Sequence, residues 1–272
     1  MPKTSQTSHT SHTSHTSPMS HTSPMSLTRR AALIGPLLCC LAVVPMLQPT
    51  SALAATQGSG KAATETRTLP AFQAISLSGA MDLAVRQGDV QSVQVQADDN
   101  LLAMLETTVE TTSQGATLQV RWKRGEWINS RSKVLVTVVV PKLVSLAASG
   151  SGDMKVESFT TPVLQVSLSG SGDARLLGLA TEELGIRISG SGDVGGTGKA
   201  TKLKVSIAGS GDVRLADMRS DDVTVKIAGS GDAAVNAQKT LDVSIAGSGD
   251  VSYTGNATLK SSVAGSGSVT KK

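Results

Sequence analysis

The tetrapeptide Gly-Ser-Gly-Asp begins at Gly150, Gly170, Gly190, Gly209, Gly229 and Gly247, and a seventh copy at Gly265 reads Gly-Ser-Gly-Ser. Successive copies lie 20, 20, 19, 20, 18 and 18 residues apart. Self-similarity at such a period marks a stacked array whose single units cannot bury their own apolar faces. Six, four and two residues before the motif glycine stand Leu164, Val166 and Leu168, then Leu184, Ile186 and Ile188, then Leu203, Val205 and Ile207. Val223, Val225 and Ile227, and Leu241, Val243 and Ile245, continue the series. The outer copies, Val144, Leu146 and Ala148 and Leu259, Ser261 and Val263, are looser. Past the motif, Met154, Ala174, Val194, Val213, Ala233, Val251 and Val269 resume the alternation. Period-two alternation is the mark of a strand with one buried face.

Each unit therefore reads as strand, Gly-Ser-Gly-Asp corner, strand and polar return. By parity both glycines of each corner face inward: Gly150 and Gly152, Gly170 and Gly172, Gly190 and Gly192, Gly209 and Gly211, Gly229 and Gly231, Gly247 and Gly249. A tight corner leaves no room for a Cβ, and glycine also permits positive φ. The units are too short for a helix plus strands. The sequence predicts an all-β, parallel β-helix (β-solenoid) with coils of about 18–20 residues stacked at the ~4.8 Å inter-strand distance. A propeller needs about 40 residues per blade and would leave one unit over. A β-sandwich has no need to repeat its corners so regularly.

Residues 1–54 read differently. Residues 4–26 are a Ser/Thr/His-rich tract of a kind that cannot bury a core. Arg29 and Arg30, an apolar run from Ala31 to Met46 and the small-residue sequence Ala52-Leu53-Ala54 follow. Basic, apolar and small-residue regions in that order predict a secretory signal, with Sec or twin-arginine export both open. The run is short and broken by Pro36, so the exported chain is not expected to span a membrane. Leu38 before Cys39 does not suit an acyl anchor at Cys39 or Cys40. The expected organisation is leader and signal peptide at 1–54, a linker at 55–67 and one solenoid domain at 68–272. Within that domain, longer irregular coils fill 68–142 and regular coils fill 143–272. "FQAISLSGAMDLAV" is a diverged copy, with Asp82 at the place of the motif aspartate, and Asp98 or Asp99 could cap a helical turn at "DDNLLAMLE".

Removing the leader removes His9, His12, His15 and His21 and both cysteines. Residues 55–272 then have no Ser-His-Asp triad, cysteine nucleophile, disulfide or His/Cys zinc site. The leader also holds Lys3, Arg29 and Arg30 and no acid, so the remaining charges nearly balance and composition does not point to nucleic acid. No cofactor is expected. Three side-chain groups remain as candidates. Asp153, Asp173, Asp193, Asp212, Asp232 and Asp250 form a column that either binds a divalent cation such as calcium or accepts backbone amides in each residue's own turn. Trp122 and Trp127, with Arg121, Lys123 and Arg124, form either a contact patch for a glycan, lipid headgroup or protein, or a loop covering a solenoid end. Asp212, Arg214 and Lys226 exemplify the mixed charge that a polysaccharide-active β-helix enzyme would use, with nothing to set them above ordinary surface.

"FQAISLSGAMDLAVRQGD", "VQVQADDNLLAMLETTV", "ATLQVRW" and "VLVTVVVPKLVSLAASGSGDM", followed by the later "SGSGD" copies, together resemble the bacterial auto-transporter adhesin, head GIN domain family. The resemblance runs from Leu69 to Val269. It implies a right-handed β-helical fold and export to the envelope, in the periplasm, at the outer membrane or outside the cell. No residue-level site comes with it. The resulting expectation is a non-enzymatic adhesion or interaction module, with a polysaccharide-active enzyme and a structural spacer as alternatives.

Overall fold

The structure is a computed structural model and describes residues 55–272; the leader and signal reading of 1–54 lies outside the described residues. Its strands are β1 (Thr56–Gln57), β2 (Ala62–Arg67), β3 (Ala74–Ser78), β4 (Asp82–Gln87), β5 (Ser92–Asp98), β6 (Leu105–Thr112), β7 (Gly115–Trp122), β8 (Ile128–Asn129) and β9 (Leu135–Val140). The repeat then supplies β10 (Ser145–Gly150), β11 (Met154–Glu157), β12 (Thr160–Gly170), β13 (Ala174–Gly190), β14 (Val194–Gly209) and β15 (Val213–Gly229). β16 (Ala233–Gly247), β17 (Val251–Thr254), β18 (Thr258–Gly265) and β19 (Val269–Lys271) complete it.

From β10 onward the chain is the expected parallel β-solenoid. Gly150, Gly170, Gly190, Gly209, Gly229, Gly247 and Gly265 stand in one unbroken register. The residues of each pre-corner strand stay aligned with it. Differences in repeat length are absorbed on the far side of each coil, where the register shifts between Leu176 and Leu179, Gly195 and Gly198, and Leu215 and Arg219. The inward positions, among them Leu184, Val205, Val225 and Val243, join one continuous core that runs from Phe72 to Tyr253. Burial of each such side chain contributes roughly 1.5–3 kcal/mol.

The corners explain the motif residue by residue. The first glycine of each copy has φ between +130° and +143°, a region that glycine alone enters without cost. A Cβ on either glycine would overlap a backbone carbonyl oxygen of the preceding coil, as at Gly211 against Gly192. The exclusion therefore acts along the stacking axis as much as toward the core.

Residues 68–142 do not stack in chain order. β3 pairs in parallel with both β7 and β10, and β4 with both β9 and β11. The rung made by β3 and β4 thus sits between the rung made by β7 and β9 and the first regular coil. β6 runs antiparallel to β7, β5 antiparallel to β9, and β2 antiparallel to β5. The linker expected at 55–67 is instead strand: β2 is tied to β5, and β1 pairs with β8. Thr64 and Thr66 suit an exposed strand once a partner edge exists. The helical turn expected near Asp98 is only a 3-10 turn at Leu102–Met104, without a side-chain cap.

Candidate interaction surface

Two features meet at the N-terminal end of the glycine column, where Lys133 of the loop pairs with Asp82. The first is a ladder of carboxylates. Oδ1 of Asp82 accepts the amide of Asp153, and Asp153, Asp173, Asp193, Asp212 and Asp232 each accept the amide of the next motif aspartate, at 2.8–3.2 Å. Asp250 accepts both the amide and the hydroxyl of Ser268. The amide reading expected each aspartate to serve its own turn; the acceptor instead reaches the next coil. The corner leaves that one N–H outside the parallel ladder, and a buried or half-buried donor needs a partner. Lys133 pairs with Asp82 at 2.6 Å, and Arg214 bridges Asp193 and Asp212 at 2.7 and 2.9 Å, offsetting the like charges. The hydrogen bond and charge of Asp82 raise the Lys133 pKa. Among the described residues no three carboxylates come together as metal ligands. Arg214 is thus a clamp within the column, while Lys226 lies on the strand before the corner; the structure does not bring Asp212, Arg214 and Lys226 into one cluster.

The second feature is the loop between β7 and β9. Trp122, at the end of β7, packs against the core and flanks Gly79, the glycine of the diverged copy. There it continues the glycine column with an indole. Arg121 is held by Glu106 and Glu110 of β6. The loop then turns outward: Lys123, Arg124 and Arg131 are exposed, and Trp127 is 69% exposed. The patch expected from sequence therefore divides. Trp122 and Arg121 serve the fold, whereas Trp127, Lys123 and Arg124 face solvent. A cleft of about 380 Å³ lies alongside, lined among others by Met81, Asp82, Trp122, Ile128 and Lys133.

Asp98 fixes this loop. It is fully buried, and its carboxylate accepts the hydroxyls of Ser130 and Ser132 and the amides of Gly60, Arg131 and Ser132. Burial opposes its charge, but the Ser132, Ser130 and Arg131 donors outweigh burial and hold its pKa well below the usual carboxylate range. The amide of Thr56 donates to the Trp127 carbonyl at 2.6 Å. From sequence Asp98 was expected only as a possible helix cap, because its partners come from two distant segments. The cluster of serines at 130–132 was the available signal.

The family described as "Putative auto-transporter adhesin, head GIN domain" matches residues 71–257. Among solved structures, a putative adhesin from Bacteroides fragilis is 23% identical with a TM-score of 0.73, covering 80% of this chain and 100% of its own. A putative lipid binding protein from Parabacteroides distasonis is 24% identical at a TM-score of 0.67, with the same coverage. A putative adhesin from Parabacteroides merdae is 23% identical at 0.59, covering 80% of this chain and 98% of its own. These likenesses concern the fold. No curated protein matches the chain.

Proposed function

This chain belongs to the auto-transporter adhesin, head GIN domain family, and from that premise we propose that it is an exported, non-enzymatic interaction module of the cell envelope. The observation that carries the reading is Trp127, an indole left in solvent on a loop that a buried carboxylate and a strand pairing hold in place. A large apolar side chain presented on a fixed support is the usual anchor of a binding surface. The regular coils act as the scaffold and the β7–β9 loop as the contact surface. The family and the adhesin-described neighbours support an adhesion-like role.

The test is binding of the exported protein to arrayed glycans, lipids and envelope proteins, alongside the Trp127→Ala variant. Binding to one class, lost in Trp127→Ala with the melting temperature unchanged, is the expected result. Hydrolysis of a polysaccharide, or binding indifferent to Trp127, would overturn the proposal. N-terminal sequencing of the exported form should begin at Ala55.

A further inference from the structure

We infer that the β7–β9 loop docks on a membrane surface bearing anionic lipid headgroups; this rests on the interaction-module reading and names its partner. Two observations carry it. Residues 123–133 include Lys123, Arg124, Arg131 and Lys133 against a single acid, Glu126. Lys133 is occupied by Asp82, but Lys123, Arg124 and Arg131 take part in no ion pair among the described residues and are exposed. All three lie within four residues of the solvent-facing Trp127 along the loop. Cations that gather anionic headgroups, beside one indole that settles at headgroup depth, match the chemistry of a bilayer interface.

Second, the aromatic inventory disfavours a sugar. The chain holds five aromatic residues. Trp122 packs against the core, and Phe72, Phe159 and Tyr253 are buried. Trp127 has no second ring with which to sandwich a pyranose. It also lies outside the lining of the neighbouring cleft.

The experiment is co-sedimentation of the exported protein with two vesicle preparations: phosphatidylcholine alone, and phosphatidylcholine carrying phosphatidylglycerol. Binding is expected only with phosphatidylglycerol, weakening as salt is added, with a blue shift in tryptophan emission. Each of Lys123→Gln, Arg124→Gln and Arg131→Gln should weaken binding about fivefold, and the triple variant about a hundredfold. Trp127→Phe should keep most of the affinity and abolish the blue shift. All four positions are exposed, so melting temperatures should not move. Equal binding to both vesicles, or a triple variant that binds as the wild type does, would overturn the inference. A glycan or protein ligand that depends on Trp127, with no vesicle binding, would sink the lipid assignment and leave the interaction module standing. Loss of every Trp127-dependent interaction would sink both.

Discussion

The two ends of the stack are finished by opposite means. At the N-terminal end the chain covers itself. β6 lies along the outer edge of β7, and β5 along β9, where it buries Val93, Val95 and Ala97. Leu101, Leu102 and Leu105 are also buried there, and Trp122 occupies the last place of the glycine column. At the C-terminal end nothing among the described residues lies on β18. All eight of its residues are exposed, including the inward-parity Leu259 and Val263. Here Lys260, Lys271 and Lys272 take the place of a cover. Charged residues, lysine above all, discourage an open edge from recruiting another strand. One end is closed by burial and the other is guarded by charge.

The sharpest test of this contrast places the same charge in the middle and at the open end. Val205 is 2% exposed and Val263 is 41% exposed. Val205→Asp should cost more than about 4 kcal/mol, because it buries an unpaired carboxylate. Val263→Asp should stay within about 0.5 kcal/mol. Denaturant melts decide it, and equal losses would mean that the C-terminal end is covered in solution.

Next in size are the corners. Gly211→Val should lose about 2 kcal/mol or more, since the new side chain meets the Gly192 carbonyl and the Ile188 methyl. Gly267→Val meets the equivalent atoms, Gly249 and Ile245, but in a coil that can peel away. Hydrogen exchange should show damage confined to β18 and β19. Global unfolding by Gly267→Val would show that the last coil is integral to the core.

Acid should loosen the covered end selectively. The Asp98 pKa is depressed in the fold, so its stabilising contribution is complete above the unfolded carboxylate pKa of about 4 and is lost as the pH falls below it. Exchange in 55–61 and 128–133 should rise in that window. β18, which contains no carboxylate, should respond less. An Asp98→Asn variant should show the loosened state already at neutral pH.

The smallest effect concerns the ladder. Asp232→Ala removes the acceptor of the Asp250 amide and should cost about 1 kcal/mol. Asp232→Asn keeps an acceptor oxygen and should be nearly neutral. Ser268→Ala should be nearly silent, since no amide depends on the Ser268 side chain among the described residues. A loss for Asp232→Asn as large as for Asp232→Ala would show that the charge itself matters.

The regular coils were legible because their constraints recur. The same carbonyl excludes a side chain at each glycine, and the same unpaired amide requires each aspartate. Period-two alternation also assigned Val205 and Ile207 to the core. It could not say which strand neighbours which. β3 and β4 alternate as plainly as β12, yet they lie between rungs formed by later residues. The ladder was visible as a column, but its direction depended on which coil's amide lacked a partner. Trp122 and Trp127 looked alike in one dimension. They are separated by where β7 ends.

The ladder has a consequence for how such chains can change. Each coil offers one carboxylate forward and receives one from behind, and the position-specific additions are ion pairs such as Arg214 with Asp193 and Asp212. Removing or duplicating a whole unit, for example residues 209–228, would leave every donor matched and both termini as they are. The number of units is therefore a dimension that duplication can tune independently of the β7–β9 loop. The register shifts on the far side already show that a coil may lose or gain two residues without disturbing its neighbours' corners. At Gly265 the motif carries Ser268 in place of the acid, and Ser268 donates both its amide and its hydroxyl to Asp250.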